Sequence, residues 1–175
     1  MRIAINILAF YVAWFAAVLG AAHGWPIAAA SACLAVVGLH LLLSARRGAE
    51  FGLVLASAAV GCGVETLLIQ SGLVFFAASG EALAGFAPFW LVALWMAFAT
   101  LVNVSLSWLK SRIWLAVILA AIGGPLSYYA GSKLGGMMLA EPIGYSLIAI
   151  SLLWAVAFPL LIVFARVTDA EPRAA

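Results

Sequence analysis

A single carboxylate inside an otherwise uncharged apolar stretch is the strongest candidate for chemistry. Glu65 follows Ser57 and Gly61 at intervals of four residues, which places all three on one face of a helix. Small residues on such a face let another helix approach closely and cover the carboxylate with protein. Because ionisable groups at membrane depth are costly, Glu65 is predicted to titrate protons or to bind a ligand.

Three further residues are expected to lie near Glu65. Counted from the same side of the membrane at 1.5 Å per residue, Glu65 lies about 21 Å and Lys133 about 30 Å along their helices. A lysine that extends along its helix could close the gap, and Tyr128 and Tyr129 bring hydroxyl groups to similar depth. The four residues are predicted to form a binding site open to the outside. The alternative is a structural contact of Glu65 with Lys133 or a tyrosine that fixes helix packing.

A second polar cluster is predicted near the cytoplasmic side. Thr100, Asn103 and Ser107 share one face of a helix, and Asn6 enters at similar depth on the first helix. The simpler interpretation is an Asn6–Asn103 hydrogen bond between helices, since such contacts are common in membrane proteins. A substrate cavity that faces the cytoplasm is the alternative.

Gly123, Gly124 and Pro125 interrupt the fifth apolar stretch. Proline removes one backbone hydrogen bond, and glycine permits a bend, so the pattern predicts a helix kink. The kink is either a passive bend or a break that exposes carbonyl groups to a ligand.

No pattern indicates a metal site, a cofactor or a nucleotide. His23 and His40 lack partners at metal-ligand spacing, and Cys33 and Cys62 lie in apolar runs. The fingerprints of phosphate-binding loops, dinucleotide sites and nucleophile elbows are absent. We therefore assign no catalytic residue, no metal, no cofactor and no nucleic-acid partner.

Six long apolar stretches position these residues. Of the 175 residues, 68% are hydrophobic and 8% charged, too little polar surface for a water-soluble globule. A helix needs about 20 apolar residues to cross a bilayer. We predict an all-α bundle of six transmembrane helices in a single domain over residues 1–175. The predicted spans are residues 3–22, 26–45, 51–70, 88–109, 113–132 and 143–165.

The cations predict the orientation of this bundle. With the first residue inside, seven of the eight Lys and Arg residues fall on the cytoplasmic side, and only Lys133 falls outside. The seven are Arg2, Arg46, Arg47, Lys110, Arg112, Arg166 and Arg173. The sequence thus predicts a multi-pass protein of the cell inner membrane with both termini cytoplasmic.

The segment from Ser71 to Ala87 is the ambiguous part of the chain. It contains Phe75 and Phe76 but is interrupted by Ser79-Gly80-Glu81. We interpret it as an outer loop. The alternative is a segment that lies in the interface or re-enters the protein interior.

Several motifs together resemble one family of bacterial proteins. They are Asn6 with Trp14, Glu65 before Gly72, Pro88-Phe89-Trp90 leading to Leu94-Trp95, Ser105-Leu106-Ser107-Trp108-Leu109, and Gly124-Pro125-Leu126-Ser127-Tyr128. The chain resembles, over nearly its whole length, the small inner-membrane proteins of domain-of-unknown-function family 2878. The resemblance implies a membrane-lipid or stress context and no defined chemistry.

Three classes of function remain open from the sequence. The first is a lipid-associated or accessory membrane subunit, with membrane lipids, a second copy or another membrane protein as partner. The second is a small transporter or permeation protein that uses Glu65 as its coupling or binding carboxylate. An intramembrane lipid-modifying enzyme is the third and the least favoured, because only Glu65 and the tyrosines could supply its acid and base.

Overall fold

A computed structural model describes residues 2–76 and 85–170, and this part of the chain is almost entirely helical. Two strands of two residues each and a short 3₁₀ helix complete it. The six α-helices are α1 (Arg2–Ala22), α2 (Pro26–Leu43), α3 (Arg47–Gln70), α4 (Phe89–Val102), α5 (Ile113–Lys133) and α6 (Ile143–Ala170). The prediction of an all-α polytopic membrane protein is confirmed, because α1, α2, α3, α5 and α6 are each long and apolar enough to cross a bilayer.

The fourth helix is shorter than the predicted span of residues 88–109. α4 has 14 residues, or about 21 Å of helix, and the 3₁₀ helix Ser107–Ser111 follows it after a turn. In the turn, the Ser105 hydroxyl donates to the side-chain oxygen of Asn6 at 2.5 Å. Asn103 and Ser105 belong to the residue types whose side chains compete with helical hydrogen bonds, so this polar stretch favours a turn.

α4 is the central helix of the bundle. Its described neighbours include α1, α2, α3 and α6, and most of its side chains are buried. A helix that is apolar on all sides suits a position surrounded by other helices. α5 packs mainly on α6, whose outward side chains Leu152, Val156 and Leu160 are more than half exposed in the isolated chain. Lipid is the natural cover for such a face.

The two ends of the bundle differ in charge. The loop between α2 and α3, the 3₁₀ helix and the last turn of α6 meet at one end, where Asp169 contacts both Arg46 and Lys110. We call this the cationic end. The start of α1 also lies there, because Ser105 donates to the Ile3 carbonyl oxygen. The beginning of α1 and the end of α6 are therefore on the same side of the bundle, as predicted.

At the opposite end, β1 (Val74–Phe75) pairs antiparallel with β2 (Met138–Leu139). Ser146 of α6 donates to the Leu73 carbonyl oxygen at 2.9 Å, which ties the segment after α3 to the start of α6. Strand β1 lies near the beginning of the segment Ser71 to Ala87, which was predicted as an outer loop. Ser79-Gly80-Glu81 lies outside the described residues. The alternative of a re-entrant segment therefore stays a prediction.

Candidate functional site

Glu65 lies on α3 against the middle of α4. Two turns before it, the Ser57 hydroxyl donates to the Trp95 carbonyl oxygen at 2.6 Å. One turn before it, Gly61 lies against the Trp95 ring, where an added Cβ would overlap the indole. Trp95 Nε1 then donates to Oε1 of Glu65 at 2.8 Å. The face of small residues thus brings the two helices together and delivers an indole N–H to the carboxyl group.

Tyr128 of α5 supplies the second contact of this carboxyl group. Its hydroxyl donates to the same Oε1 atom of Glu65. Glu65 has no exposed surface and Tyr128 is 4% exposed, so the contact is shielded from solvent. Three helices, α3, α4 and α5, therefore meet at Glu65, and both donors to its Oε1 are neutral.

The predicted contact between Lys133 and Glu65 is wrong. Lys133 extends over the ring of Tyr129, with 5.1 Å between Nζ and the ring centroid. At 100° per residue, Lys133 lies 140° around α5 from Tyr128 but only 40° from Tyr129, by about 3.6 residues per turn. Tyr129 is 42% exposed, so the two residues share an outer face away from Glu65. Lys133 was predicted from its depth along α5 alone, and its side chain points to a different side of that helix from Glu65.

The carboxyl group borders a small cavity. Its volume is about 50 Å³, and we call it the aromatic cavity because six rings line it. Its lining consists of Phe10, Trp14, Val18, Glu65, Leu91, Leu94, Trp95, Phe98, Ser127, Tyr128, Met137 and Trp154. Two buried polar atoms of these residues, Glu65 Oε2 and Trp154 Nε1, have no hydrogen-bond partner in the described part of the chain.

Stacked and edge-on rings form the wall of the aromatic cavity. Trp95 and Trp154 stack at 4.5 Å between ring centroids, and Phe98 packs edge-on against Trp154 at 5.3 Å. Trp14 Nε1 donates to the Ser127 hydroxyl at 3.0 Å, which links α1 to α5. The sequence did not identify Trp95 and Trp154 as partners of Glu65. Trp95 lies two turns after Pro88 within one predicted span, a position too deep for an interfacial tryptophan, and that depth was the available signal.

Gly123, Gly124 and Pro125, the predicted kink, lie in the unbroken helix α5. Gly124 packs against the Trp154 ring, which a Cβ would meet at 2.5 Å. Pro125 cannot donate to the carbonyl oxygen of Ala121 four residues earlier. Ser151 of α6 donates to that oxygen at 2.7 Å and so satisfies it. The freed carbonyl therefore serves the packing of α5 on α6.

The predicted polar cluster of Asn6, Thr100, Asn103 and Ser107 is only partly brought together. Asn6 donates to the Thr100 carbonyl oxygen at 3.1 Å and accepts from Ser105, so the expected Asn6–Asn103 hydrogen bond is wrong. Asn103 lies beyond the end of α4, where the chain has already turned. Ser107 donates to the Val104 carbonyl oxygen within its own turn.

A larger cavity of about 550 Å³ opens at the cationic end, and we call it the basic cavity. Its wall includes three permanent cations, two carboxylates and several apolar side chains. They are Arg2, Arg46 and Lys110; Glu50 and Asp169; and Ile5, Ala9, Val36, Leu39 and Leu43. The polar residues Asn6, Thr100 and Asn103 also line it. That this cavity faces the cytoplasm and takes a substrate, the alternative given above, stays a prediction.

Three contacts with carboxyl groups organise the wall of the basic cavity. Arg46 donates to Asp169 Oδ1 at 2.5 Å and to the Thr168 carbonyl oxygen at 2.8 Å, while Lys110 contacts Asp169 Oδ2. His40 Nε2 lies 3.0 Å from Glu50 Oε2. Asp169 and Glu50 fall just outside the predicted spans, which end at residue 165 and begin at residue 51. Neither residue was therefore predicted to belong to a site.

The family described as "Protein of unknown function (DUF2878)" matches residues 3–160. No curated protein and no solved structure matches the chain.

Proposed function

The chain belongs to the DUF2878 family of proteins of unknown function, and from this premise we propose that it is a lipid-associated or accessory protein of the bacterial inner membrane. In this proposal the basic cavity binds the phosphate headgroup of an anionic lipid. The observation that carries the proposal is that cations and lipid-facing apolar side chains line the same opening.

The headgroup would bind at Arg46 and Lys110. Both contact Asp169, and the side chains of Arg46, Lys110 and Asp169 are 39%, 18% and 35% exposed. The Arg46–Asp169 pair is exposed enough to contribute little free energy, so a lipid phosphate can compete there with the carboxylate. Arginine offers a planar pair of N–H donors that suits phosphate oxygens, and lysine adds a point charge.

The lipid tail would follow the apolar side of the same cavity. Ile5, Leu39 and Leu43 line the cavity and are also 59%, 55% and 70% exposed in the isolated chain. Their surface therefore continues outward from the cavity to the face that lipid covers. A soluble anion would gain nothing from this apolar surface, whereas an acyl chain would.

Charge favours the cytoplasmic leaflet as the source of the lipid. The positive-inside rule places the cationic end at the cytoplasm. Anionic lipids there attract basic groups near the surface, with about 1 kcal/mol per Lys or Arg. As an accessory subunit, the protein would present this bound lipid to a second copy or to another membrane protein.

Native mass spectrometry of the purified protein in detergent tests the proposal. Titration with phosphatidylglycerol should give tighter binding than titration with phosphatidylcholine. In the double variant R46Q/K110Q we expect phosphatidylglycerol to bind about 25-fold more weakly, from about fivefold per cation. Phosphatidylcholine binding should change little.

Two single variants serve as controls. Arg47 donates to the Leu42 carbonyl oxygen and does not line the cavity, so R47Q should bind phosphatidylglycerol like the unmodified protein. D169N removes the competing carboxylate and should strengthen binding, whereas loss of a merely structural ion pair would weaken it. Equal phosphatidylglycerol affinity in R46Q/K110Q and R47Q would refute the proposal.

A further inference from the structure

The aromatic cavity contains two buried polar atoms whose hydrogen-bonding capacity the described residues leave unused. Glu65 Oε2 and Trp154 Nε1 both belong to residues that line it. The Trp154 side chain also lies close to the Tyr128 hydroxyl, but Nε1 does not meet the geometry of a hydrogen bond to it. Buried polar atoms in folded proteins nearly always have a partner, and an ordered small molecule supplies it when protein does not. Two such atoms on one cavity therefore point to an occupant.

We propose that the aromatic cavity is a binding site for a hydroxyl group, held between Glu65 Oε2 and Trp154 Nε1. The hydroxyl belongs either to a water molecule or to a small alcohol. This site is separate from the basic cavity and does not depend on lipid binding there.

The two protein atoms select the chemistry of this occupant. An indole N–H only donates, so the occupant must offer an acceptor. A carboxyl oxygen accepts when the group is ionised, and one of the two oxygens donates when it is protonated. A hydroxyl oxygen has one proton and two lone pairs, so it serves both partners in either state. An ammonium ion has no acceptor for the indole.

Size and surface restrict the occupant further. A water needs at least about 10–15 Å³ of accessible space, so the cavity of about 50 Å³ holds a few water-sized groups at most. Phe10, Leu94 and Phe98 give it apolar walls. Such walls suit the methyl group of a small alcohol. The small volume excludes a sugar.

Trp154 can report the occupant directly. In protein labelled with ¹⁵N-tryptophan in detergent micelles, the variant W154F assigns the Trp154 indole signal. If water occupies the site, the Trp154 indole proton should show a nuclear Overhauser effect to water. If the site accepts a small alcohol, methanol should shift the signal saturably while glucose should not. Either result supports a hydroxyl site, and together they distinguish its two sources.

Two comparisons keep this test decisive. Trp114 is 62% exposed and does not line the cavity, so methanol should not shift its indole signal saturably. E65Q retains the size of the side chain and an acceptor for Trp95, and it should still displace the Trp154 signal because the bridging partner changes. The proposal is overturned if Trp154 shows neither the water effect nor the methanol shift. It is equally overturned if Trp114 shifts in parallel or if E65Q leaves the Trp154 signal unchanged.

Discussion

Asp169 in the basic cavity and Glu65 in the aromatic cavity are both carboxylates at helix contacts, yet their partners differ completely. Asp169 lies between two cations, Arg46 and Lys110, and its side chain is 35% exposed. Glu65 is fully buried, and an indole and a phenol hydroxyl donate to it. The first site is built from charges at the end of the bundle, and the second from neutral aromatic donors in its middle.

The difference reflects the cost of charge at each depth. At the end of the bundle, long basic side chains reach water, so an ion pair there can open and close at small cost. In the middle, a second buried charge would add its own desolvation cost, whereas Trp95 and Tyr128 bring donors on large apolar rings. The side chains at the cationic end can therefore exchange hydrogen-bond partners, while the contacts of Glu65 depend on fixed packing.

The largest expected effect comes from removing each carboxylate. E65A leaves the donors of Trp95 and Tyr128 without their acceptor, at about 1–3 kcal/mol for each buried group, so we expect a loss of about 2–6 kcal/mol. D169A releases Arg46 and Lys110 to water and should cost about 0–1 kcal/mol. The free energy of unfolding in mixed detergent micelles, followed by circular dichroism, measures both.

Two further variants control for shape. E65Q keeps an acceptor for the indole and should recover most of the stability lost in E65A. Y128F removes one buried donor, whereas Y129F changes an exposed ring, so only the former should destabilise. A D169A protein that loses as much stability as E65A would show that depth does not separate the two sites.

An intermediate effect is expected from the glycine that lets α3 approach α4. A methyl group at Gly61 would overlap the Trp95 ring, while Gly63 has open space at its Cβ position. Overpacking costs about 1–3 kcal/mol, so G61A should lower the free energy of unfolding by that amount. It should also weaken the hydrogen bond from Trp95 to Glu65, which the Trp95 indole ¹⁵N signal reports.

G63A is the matched control because it makes the same change two residues later on the same helix. It should leave stability unchanged or slightly raised, since alanine favours helix over glycine. Equal losses in G61A and G63A would mean that backbone flexibility, and not close packing on Trp95, explains the glycine. That result would remove the argument that the interior site depends on fixed packing.

Apolar length was enough to predict five long helices, because a bilayer leaves long uninterrupted helices as the main solution for such stretches. It was not enough for the fourth predicted span, where the helix ends at Val102. The spacing of Ser57, Gly61 and Glu65 likewise predicted which face of α3 meets another helix. Tyr128 was correctly placed at the depth of Glu65. Apolar length, residue spacing and depth along a helix each depend on one segment only, so they can be read from a single sequence.

The parts that could not be predicted depend on rotation and pairing between helices. Depth alone made Lys133 as plausible a neighbour of Glu65 as Tyr128, and only the rotation of α5 on α6 separates them. Asp169 meets Arg46 across 123 positions of the chain, a contact that no local pattern encodes. The local residue types favour the turn after α4, but the contact of Ser105 with α1, which takes the place of the expected Asn6–Asn103 bond, is a pairing between distant segments.

The smallest expected effect comes from Ser151. Its hydroxyl is a neutral donor inside the bundle, like those of Trp95 and Tyr128, but it binds a backbone oxygen instead of a carboxylate. It donates to the Ala121 carbonyl oxygen that Pro125 leaves free. S151A should cost about 0.6 kcal/mol, the typical value for a hydrogen bond between membrane helices. S132A, which removes an exposed bond to the Tyr129 carbonyl oxygen, should cost less.

A double-mutant cycle with P125A isolates the reason for this bond. Alanine at position 125 restores an N–H that can donate to the Ala121 carbonyl oxygen, so S151A should then cost almost nothing. A positive coupling between positions 125 and 151 would show that the interior satisfies even a backbone oxygen with a neutral donor from a neighbouring helix. If S151A costs the same in both backgrounds, Ser151 acts through packing alone. Neutral donors from neighbouring helices would then satisfy Glu65 but not the backbone oxygen freed by Pro125.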